Sequence, residues 1–286
     1  MSSSTPLAHT NFPLGAYGLR IAGLPDAGSL LAAASADWPL VDVTVEVGDL
    51  PDGDEHLDDD LGRLRLRTGG WLELQRDPGR ARYVVPAPLT TDALVHPYLA
   101  PAAAVFAHWH GCEGVHGGAL AIDGTAWGVV GDRFGGKSSL LAALAVSGTE
   151  IVCDDVLVID DGMAYSGPRT IDLREDAAAA LEVGEPLPDT GARERWRLRL
   201  APLDRQPTLG GWVFTEWADE LELRRLPASE TLARIYRNRS ITVPPKDPAA
   251  FLQLSSLPAW ELRRPRSWAS LPETLELLLD VLTTDG

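Results

Sequence analysis

The segment from Gly131 to Ser138, with the sequence GDRFGGKS, matches the pattern G-x-x-x-x-G-K-[ST] of a phosphate-binding loop. Glycines in such a loop let the backbone curl so that successive N–H groups point at phosphate oxygens. Lys137 supplies a cation to the β- and γ-phosphates, and the Ser138 hydroxyl is a ligand for Mg²⁺. The pattern predicts a nucleotide-binding segment with these members: Gly131, Asp132, Arg133, Phe134, Gly135, Gly136, Lys137, Ser138 and Ser139.

The sequence on either side of this loop supports the interpretation. Residues 126–130 are apolar and predict a buried strand, while residues 138–146 are good helix formers that end at Ser147-Gly148. A strand, a glycine loop and a helix in that order aim the positive end of the helix at an anion. The alternative is a turn that binds nothing, but such a turn needs neither Lys137 nor Ser138.

Length and charge exclude some classes of function. The chain has 286 residues, enough for one large domain or two small ones, and its net charge of −16 disfavours nucleic acid or an anionic membrane as the main partner. It has no apolar run of membrane-spanning length and no signal-peptide pattern at its start, so we expect a cytoplasmic protein. Cys112 and Cys153 are expected to be buried thiols.

Short alternating runs broken by turn residues fill the first hundred positions. Period-2 alternation predicts half-buried antiparallel strands, and we expect a β-rich N-terminal domain over residues 1–107. The runs are residues 17–21, 41–47, 64–67, 71–74 and 81–85. The acidic residues 49–60 lack EF-hand spacing, which favours a solvated connector over a metal site.

An alanine-rich helix is predicted over residues 92–108, and histidines follow it. His108 and His110 lie outside common metal-ligand spacings, so we expect surface or capping residues.

Residues 150–155 predict a strand that ends in Asp154-Asp155. An acid at a strand end close to a phosphate loop holds or orients Mg²⁺. Paired acids in so acidic a chain are often only surface, so both alternatives stay open on this pattern alone.

A cationic strand is predicted from Arg193 to Leu200, where Arg occupies every odd position. Its arginines are candidates for binding an acidic acceptor or a phosphate: Arg195, Arg197 and Arg199. The alternative is an edge strand that charge protects against aggregation.

The rest of the chain predicts further elements. Residues 156–165 predict a hairpin with an Asp-Gly turn, residues 209–225 predict further strands, and residues 228–238 and 271–282 predict helices.

The segment from Val115 to Asp160 resembles the kinase domain of bacterial HPr kinase/phosphorylase, in particular the HPr-kinase-like proteins encoded beside genes for ribosomally made, modified peptides such as lasso peptides. The resemblance depends on His116-Gly117, the loop ending in Gly136-Lys137-Ser138, and Asp154-Asp155, at spacings that match the family. Residues 257–266 also resemble the peptide-cluster subgroup.

The resemblance implies roles for individual residues. Asp155 would take the proton of the acceptor hydroxyl, with His116 beside it and Lys137 neutralising phosphate charge. It implies a metal site whose candidates are Ser138, Asp154 and Asp172, the last in an Asp-Leu-Arg context that is the nearest match to the family's Glu-Ile-Arg. Which of Asp154 and Asp155 binds the metal and which accepts the proton stays open. Two arginines are candidates for the family's capture loop: Arg237 and Arg239. Arg133-Phe134 replace the family's Ser-Gly, a departure that affects how ATP is held.

The implied fold is α/β, a P-loop kinase core with a mixed sheet of the HPr kinase and phosphoenolpyruvate carboxykinase type over residues 108–286, preceded by the β-rich part. The implied activity is ATP- and Mg²⁺-dependent transfer to a hydroxyl, with a Ser of a small peptide or protein as acceptor. Two alternatives stay open: a small-molecule acceptor such as a free amino acid or a sugar, and a nucleotide-binding accessory protein without transfer activity. The expected partners are a nucleotide and the acceptor, with a homo-oligomer left open.

Overall fold

The computed structural model describes residues 13–50, 52–67, 69–187, 194–203 and 205–285. These residues form a mixed α/β fold built from two eight-stranded sheets, a three-stranded sheet and helices packed against them. Of the helices described, none has both the length and the apolar character needed to cross a membrane.

The first sheet is formed by residues 14–85. Its strands are β1 (Leu14–Ala16), β2 (Leu19–Ala22), β3 (Ala32–Ala33), β4 (Leu40–Val47), β5 (His56–Leu57), β6 (Leu61–Arg65), β7 (Trp71–Gln75) and β8 (Arg80–Val85). They lie in the order β3-β1-β2-β4-β8-β7-β6-β5. The expectation of antiparallel strands is wrong at the centre, where β2–β4 and β4–β8 are parallel. Parallel neighbours need a long connection that brings the chain back to the end where the first strand began, and the intervening strands supply that length.

A helical segment leads from the first sheet to the second. It comprises α1 (Thr91–Ala93), a wide helical turn (Leu94–Tyr98) and α2 (Leu99–Trp109). The single helix predicted over residues 92–108 is interrupted at His96, whose backbone is extended (φ −150°, ψ 124°). α2 is buried along nearly its whole length in an apolar core that also contains Val156 and Val158. The boundary expected between residues 107 and 108 therefore falls inside a helix.

The remaining strands form the second and third sheets. They are β9 (Glu113–Ile122), β10 (Thr125–Gly131), β11 (Glu150–Cys153), β12 (Val156–Asp160), β13 (Met163–Tyr165), β14 (Thr170–Leu173), β15 (Glu185–Pro186), β16 (Trp196–Arg199), β17 (Thr208–Trp217), β18 (Glu222–Arg225) and β19 (Ala259–Arg264). The second sheet runs β10-β9-β12-β13-β17-β19-β18, with β11 beside β9 and a further pairing of β10 with β17. β17 is parallel to β10 and to β19. The third sheet is β14-β16-β15.

Helices cover both faces of the second sheet. They are α3 (Lys137–Val146), α4 (Glu175–Leu181), α5 (Ala228–Arg237), α6 (Pro248–Leu254) and α7 (Leu271–Asp285). Along β10, Trp127 belongs to the core under α3 and α7, while Val130 belongs to the core under α5 and α6. Each leucine buried there stabilises the fold by roughly 1.5–3 kcal/mol. This packing fixes the two ends of the segment that joins β10 to α3.

Candidate active site

The predicted strand and helix around Gly131–Ser138 are confirmed as β10 and α3. Gly136 precedes the first residue of α3 and has φ 76°, a left-handed conformation that favours glycine. A Cβ atom there would lie 2.6 Å from Nη2 of Arg264 and 2.6 Å from Cζ2 of Trp217. The glycine before Lys137 is therefore required both by backbone conformation and by space.

Lys137 lies inside the loop that precedes it. Its side chain is largely buried, and Nζ donates to the carbonyl oxygens of Gly131 at 2.8 Å and Asp132 at 3.2 Å. Burial lowers the pKa of this ammonium group, and the carboxylates of Asp154 and Asp155 partly oppose that shift. The lysine is thus a cation held by neutral carbonyl groups at the point where the loop curls.

Ser138 contacts the first acid of the pair directly. Its Oγ donates to Oδ1 of Asp154 at 3.1 Å, and Asp154 is 5% exposed. Burial raises the pKa of Asp154 to about 6, and Asp155 raises it further, while His96, Ser138 and Lys137 act in the opposite direction. A hydroxyl and a carboxylate oxygen side by side are the hard ligands that Mg²⁺ prefers.

Asp155 occupies a left-handed backbone conformation with φ 79°, which Asp tolerates better than most residues. Its carbonyl oxygen accepts from the backbone N–H of Gly117 at 3.0 Å, and its Oδ1 lies 3.6 Å from Nδ1 of His116. The Asp155 side chain is 33% exposed. Burial lowers the pKa of His116, although Asp155 partly restores it. The structure therefore places a partly open carboxylate next to an imidazole that favours its neutral form.

Asp172 lies in a different environment. Its two carboxylate oxygens accept from Nε of Arg197 at 2.7 Å and from Nη2 at 2.8 Å, and Nη1 of Arg197 donates to Asp92 at 2.9 Å. Nε2 of His96 lies 3.9 Å from Asp172, and the same imidazole opposes the rise in the pKa of Asp154. Within the described ranges no three His, Cys, Asp or Glu side chains group as metal ligands. The metal role of Asp172 stays a prediction that requires Arg197 to release it.

The expected cationic face of β16 is wrong for its central member. Arg197 is 2% exposed because its guanidinium binds Asp172 of β14 and Asp92 of α1. Arg199 is exposed and donates to Oγ of Ser29 at 2.9 Å. Arg195 is half-buried, and Arg193 lies outside the described residues.

The two arginines proposed for a capture loop have separate surroundings. Arg239 is buried, pairs with Glu113 at 3.2 Å and forms a backbone bridge with Val115. Arg237 is exposed at the end of α5. The residue between them, Asn238, accepts a hydrogen bond from the backbone N–H of His116 at 2.6 Å. The segment therefore lies beside His116, although the guanidinium of Arg239 is engaged elsewhere.

Comparisons with known proteins give little beyond this geometry. No family model matches the chain, and no curated protein matches it. Among solved structures, the HPr(Ser) kinase/phosphatase from Coxiella burnetii is similar, with 15% sequence identity and a TM-score of 0.29 over 61% of this chain and 99% of that one. A TM-score at this level does not establish a shared fold.

Sequence reasoning missed two residues that the fold brings to the acid pair. One is His96. The proline that follows it inside the predicted helix is a signal that the helix breaks there. The other is Tyr17, at the β1–β2 turn with φ 60°, which is 1% exposed. Its hydroxyl has no hydrogen-bond partner in the described part of the chain, and burial followed by Asp155 raises its pKa well above the ordinary value. Nothing in the local sequence of Tyr17 indicates the site.

Proposed function

We propose that the protein is an ATP- and Mg²⁺-dependent kinase that transfers the γ-phosphate to a hydroxyl group, with a Ser of a small peptide or protein as acceptor. One observation carries the proposal: adjacent carboxylates beside a phosphate loop have different partners. Asp154 accepts from Ser138 of the loop, whereas Asp155 lies against His116 and is partly open to solvent. That division separates a metal-holding acid from a proton-accepting acid.

The residues present fit Mg·ATP. Lys137 and the N–H groups at the start of α3 would hold the phosphates, and Ser138 with Asp154 would hold the metal. When bound, Mg²⁺ supplies charge neutralisation at the phosphates. The buried carboxylate of Asp154 supports this assignment, because a cation offsets the cost of burying its negative charge.

Asp155 would act on the acceptor. Its carboxylate is close to His116 and its backbone is fixed by Gly117, so the group is oriented while one side stays accessible. A carboxylate placed in this way accepts the proton of a hydroxyl while the oxygen forms a bond to the γ-phosphorus; the bond from that phosphorus to the β–γ bridging oxygen breaks and ADP leaves. His116 favours its neutral form, so it orients Asp155 without neutralising it.

An apolar groove supports a peptide over a small molecule as acceptor. The groove encloses about 440 Å³ between α5 and α6 and is lined by residues that include Leu232, Tyr236, Phe251 and Leu252. α5 ends next to Asn238, which bonds to the backbone of His116. The groove is thus formed by a helix whose end contacts the strand that carries His116, and we assign to it the apolar neighbours of the acceptor Ser.

The test compares equivalent Asp→Asn changes. Transfer from labelled ATP is measured in single turnover onto a library of serine-containing peptides, with free serine and a hexose as small-molecule acceptors. Asp155→Asn should keep Mg·ATP binding and lower transfer by about 10²–10⁴-fold. Asp154→Asn should raise the Mg²⁺ requirement. Asp161→Asn is the matched control, since Asp161 is exposed in the β12–β13 turn.

Three results would contradict parts of the proposal. If Asp155→Asn transfers normally and Asp154→Asn does not, the roles within the pair are reversed. If both variants transfer normally, the kinase assignment fails. If the unmodified protein binds Mg·ATP and transfers phosphate to none of the acceptors, the accessory-protein alternative is favoured.

A further inference from the structure

Two guanidinium groups contact one exposed aromatic ring on the phosphate loop. The central carbon of Arg133 lies 4.9 Å from the ring centroid of Phe134, and that of Arg174 lies 4.7 Å from it. Phe134 is 55% exposed, and both arginines are exposed as well. Arg133 belongs to the loop, whereas Arg174 follows β14 and precedes α4, so tertiary folding brings the second cation to the ring.

In the part of the chain that the structure describes, the two guanidinium groups of this stack have no ion-pair partner. The chain carries 41 acidic and 25 basic residues, so carboxylate partners are abundant. Among the described residues, neither Arg133 nor Arg174 forms an ion pair with any of them. The two guanidinium groups carry like charges and contact the same ring, so they are separated by no more than about the Debye length of ordinary buffers. Salt therefore screens their repulsion only in part. An anion bound between them would remove that repulsion.

The loop is held so that Phe134 stays in place. Phe134 has φ 70°, an unfavourable conformation for a bulky residue that persists only where its surroundings impose it. Its carbonyl oxygen accepts from Nε1 of Trp217 at 2.9 Å. The guanidinium of Arg264 lies 4.2 Å from the Trp217 ring and donates to the carbonyl oxygen of Gly136 at 3.2 Å. These contacts hold the loop at Phe134 and at Gly136.

Arg264 adds a third cation beneath the loop. It is 4% exposed, its Nε has no hydrogen-bond partner in the described part of the chain, and burial lowers its pKa to about 10. A buried guanidinium without a carboxylate contributes positive potential to the loop instead of cancelling it. Lys137 and the amino end of α3 contribute in the same direction.

We propose that Arg133 and Arg174, stacked on Phe134, form a second phosphate-binding element that closes over the phosphate chain of the nucleotide. This proposal deepens the proposed kinase function and rests on it. Guanidinium groups present paired donors that match phosphate oxygens, and stacking on a ring fixes their orientation before the ligand arrives. Arg133-Phe134 stand where the family that this segment resembles has Ser-Gly. In this chain the arginine would therefore bind phosphate in addition to the backbone N–H groups of the loop.

The experiment measures dissociation constants by calorimetry, in Mg²⁺, for tripolyphosphate, ATP, ADP and AMP. Arg133→Gln and Arg174→Gln each remove one charge, and Phe134→Gly removes the ring but no charge. Arg80→Gln, an exposed arginine of the first sheet, is the control for loss of one charge elsewhere. Melting temperatures show whether each variant folds.

Each arginine variant should weaken ATP and tripolyphosphate about tenfold, as expected for loss of one charge-assisted contact. The loss should shrink from ATP to AMP and should diminish at high salt. Phe134→Gly should weaken tripolyphosphate as well, because the arginines lose their orientation, while Arg80→Gln changes nothing.

Three outcomes would overturn the proposal. If the arginine variants bind all four ligands like the unmodified protein, the stack is surface packing only, and the kinase assignment is untouched. If Phe134→Gly weakens ATP and leaves tripolyphosphate unchanged, the ring contacts the base. If the unmodified protein binds none of the four ligands, this proposal and the proposed function both fail.

Discussion

Asp154 and Asp172 are similarly buried but have different electrostatic partners. Asp154 is 5% exposed and its partner is the neutral hydroxyl of Ser138, whereas both oxygens of Asp172 are occupied by the guanidinium of Arg197. Burial accordingly raises the pKa of Asp154 to about 6. A buried carboxylate whose side-chain hydrogen bond comes from a hydroxyl still favours an added cation, while one paired with arginine is already neutralised. Burial by itself therefore does not separate a functional acid from a structural one.

The largest effect is expected from Lys137→Ala, which removes the cation next to the acid pair. Transfer should fall by about 10³-fold or more, because charge stabilisation at the phosphates is lost. Lys246→Ala is the matched control, since Lys246 pairs with Asp59 at the surface. Turnover and the thermal shift caused by Mg·ATP are the measurements. Normal turnover in a folded Lys137→Ala protein would show that the loop lysine does not act on phosphate.

Arg197→Leu tests the other cluster. It leaves Asp172 buried without its partner, so the free energy of unfolding should fall by about 3–5 kcal/mol, while the affinity for ATP in the remaining folded protein stays the same. Denaturant titration measures the first quantity and calorimetry the second. Arg199→Leu, at the exposed end of the same strand, should cost far less stability. A loss of ATP affinity at unchanged stability would place Arg197 in the nucleotide site instead.

The pKa of Asp154 predicts a pH dependence in the metal-free protein. Because its value is raised from 3.8 to about 6, the folded state holds the proton more tightly than the unfolded state. The resulting stability is fully present below about pH 4 and is lost as pH rises through 6, an effect of up to about 3 kcal/mol. Melting temperatures between pH 4 and 7 measure it. Mg²⁺ should flatten the curve and Asp154→Asn should abolish it; an unchanged curve in Asp154→Asn would assign the effect to another group.

The smallest effect is expected from Arg195→Gln with Arg199→Gln. Because the third arginine of the run is buried with Asp172, the face is too weakly charged to hold an acceptor by itself. The acceptor KM should change less than about threefold, because exposed charge contacts contribute little binding free energy. A rise above tenfold at constant KM for ATP would mean that this face binds the acceptor after all.

Local sequence was sufficient for part of this site. The loop, the strand before it and the helix after it are contiguous, so the glycines, Lys137 and Ser138 could be placed without knowing any distant contact. Asp154-Asp155 could be located at a strand end for the same reason. Alternation in β16 correctly put the arginines on one face, but Asp172 and Asp92 decide which way that face turns.

Other features depend on contacts between distant parts of the chain. His96 reaches the acids only because the helical segment before α2 breaks there, and Tyr17 only because the β1–β2 turn packs beneath β11. The parallel pairing of β4 with β8 likewise depends on how the intervening strands return. No window of local sequence contains these partners.

The apolar core that joins Tyr83 and α2 to Val156 and Val158 has a consequence for how the chain is made. During synthesis the first sheet leaves the ribosome well before β12. One of its apolar faces therefore stays exposed to solvent until β12, the strand that follows Asp155, has been made. Contacts between such distant residues close slowly. Substitutions in β12 would therefore act in two ways: through the position of Asp155, and through the fraction of newly made protein that reaches its native state.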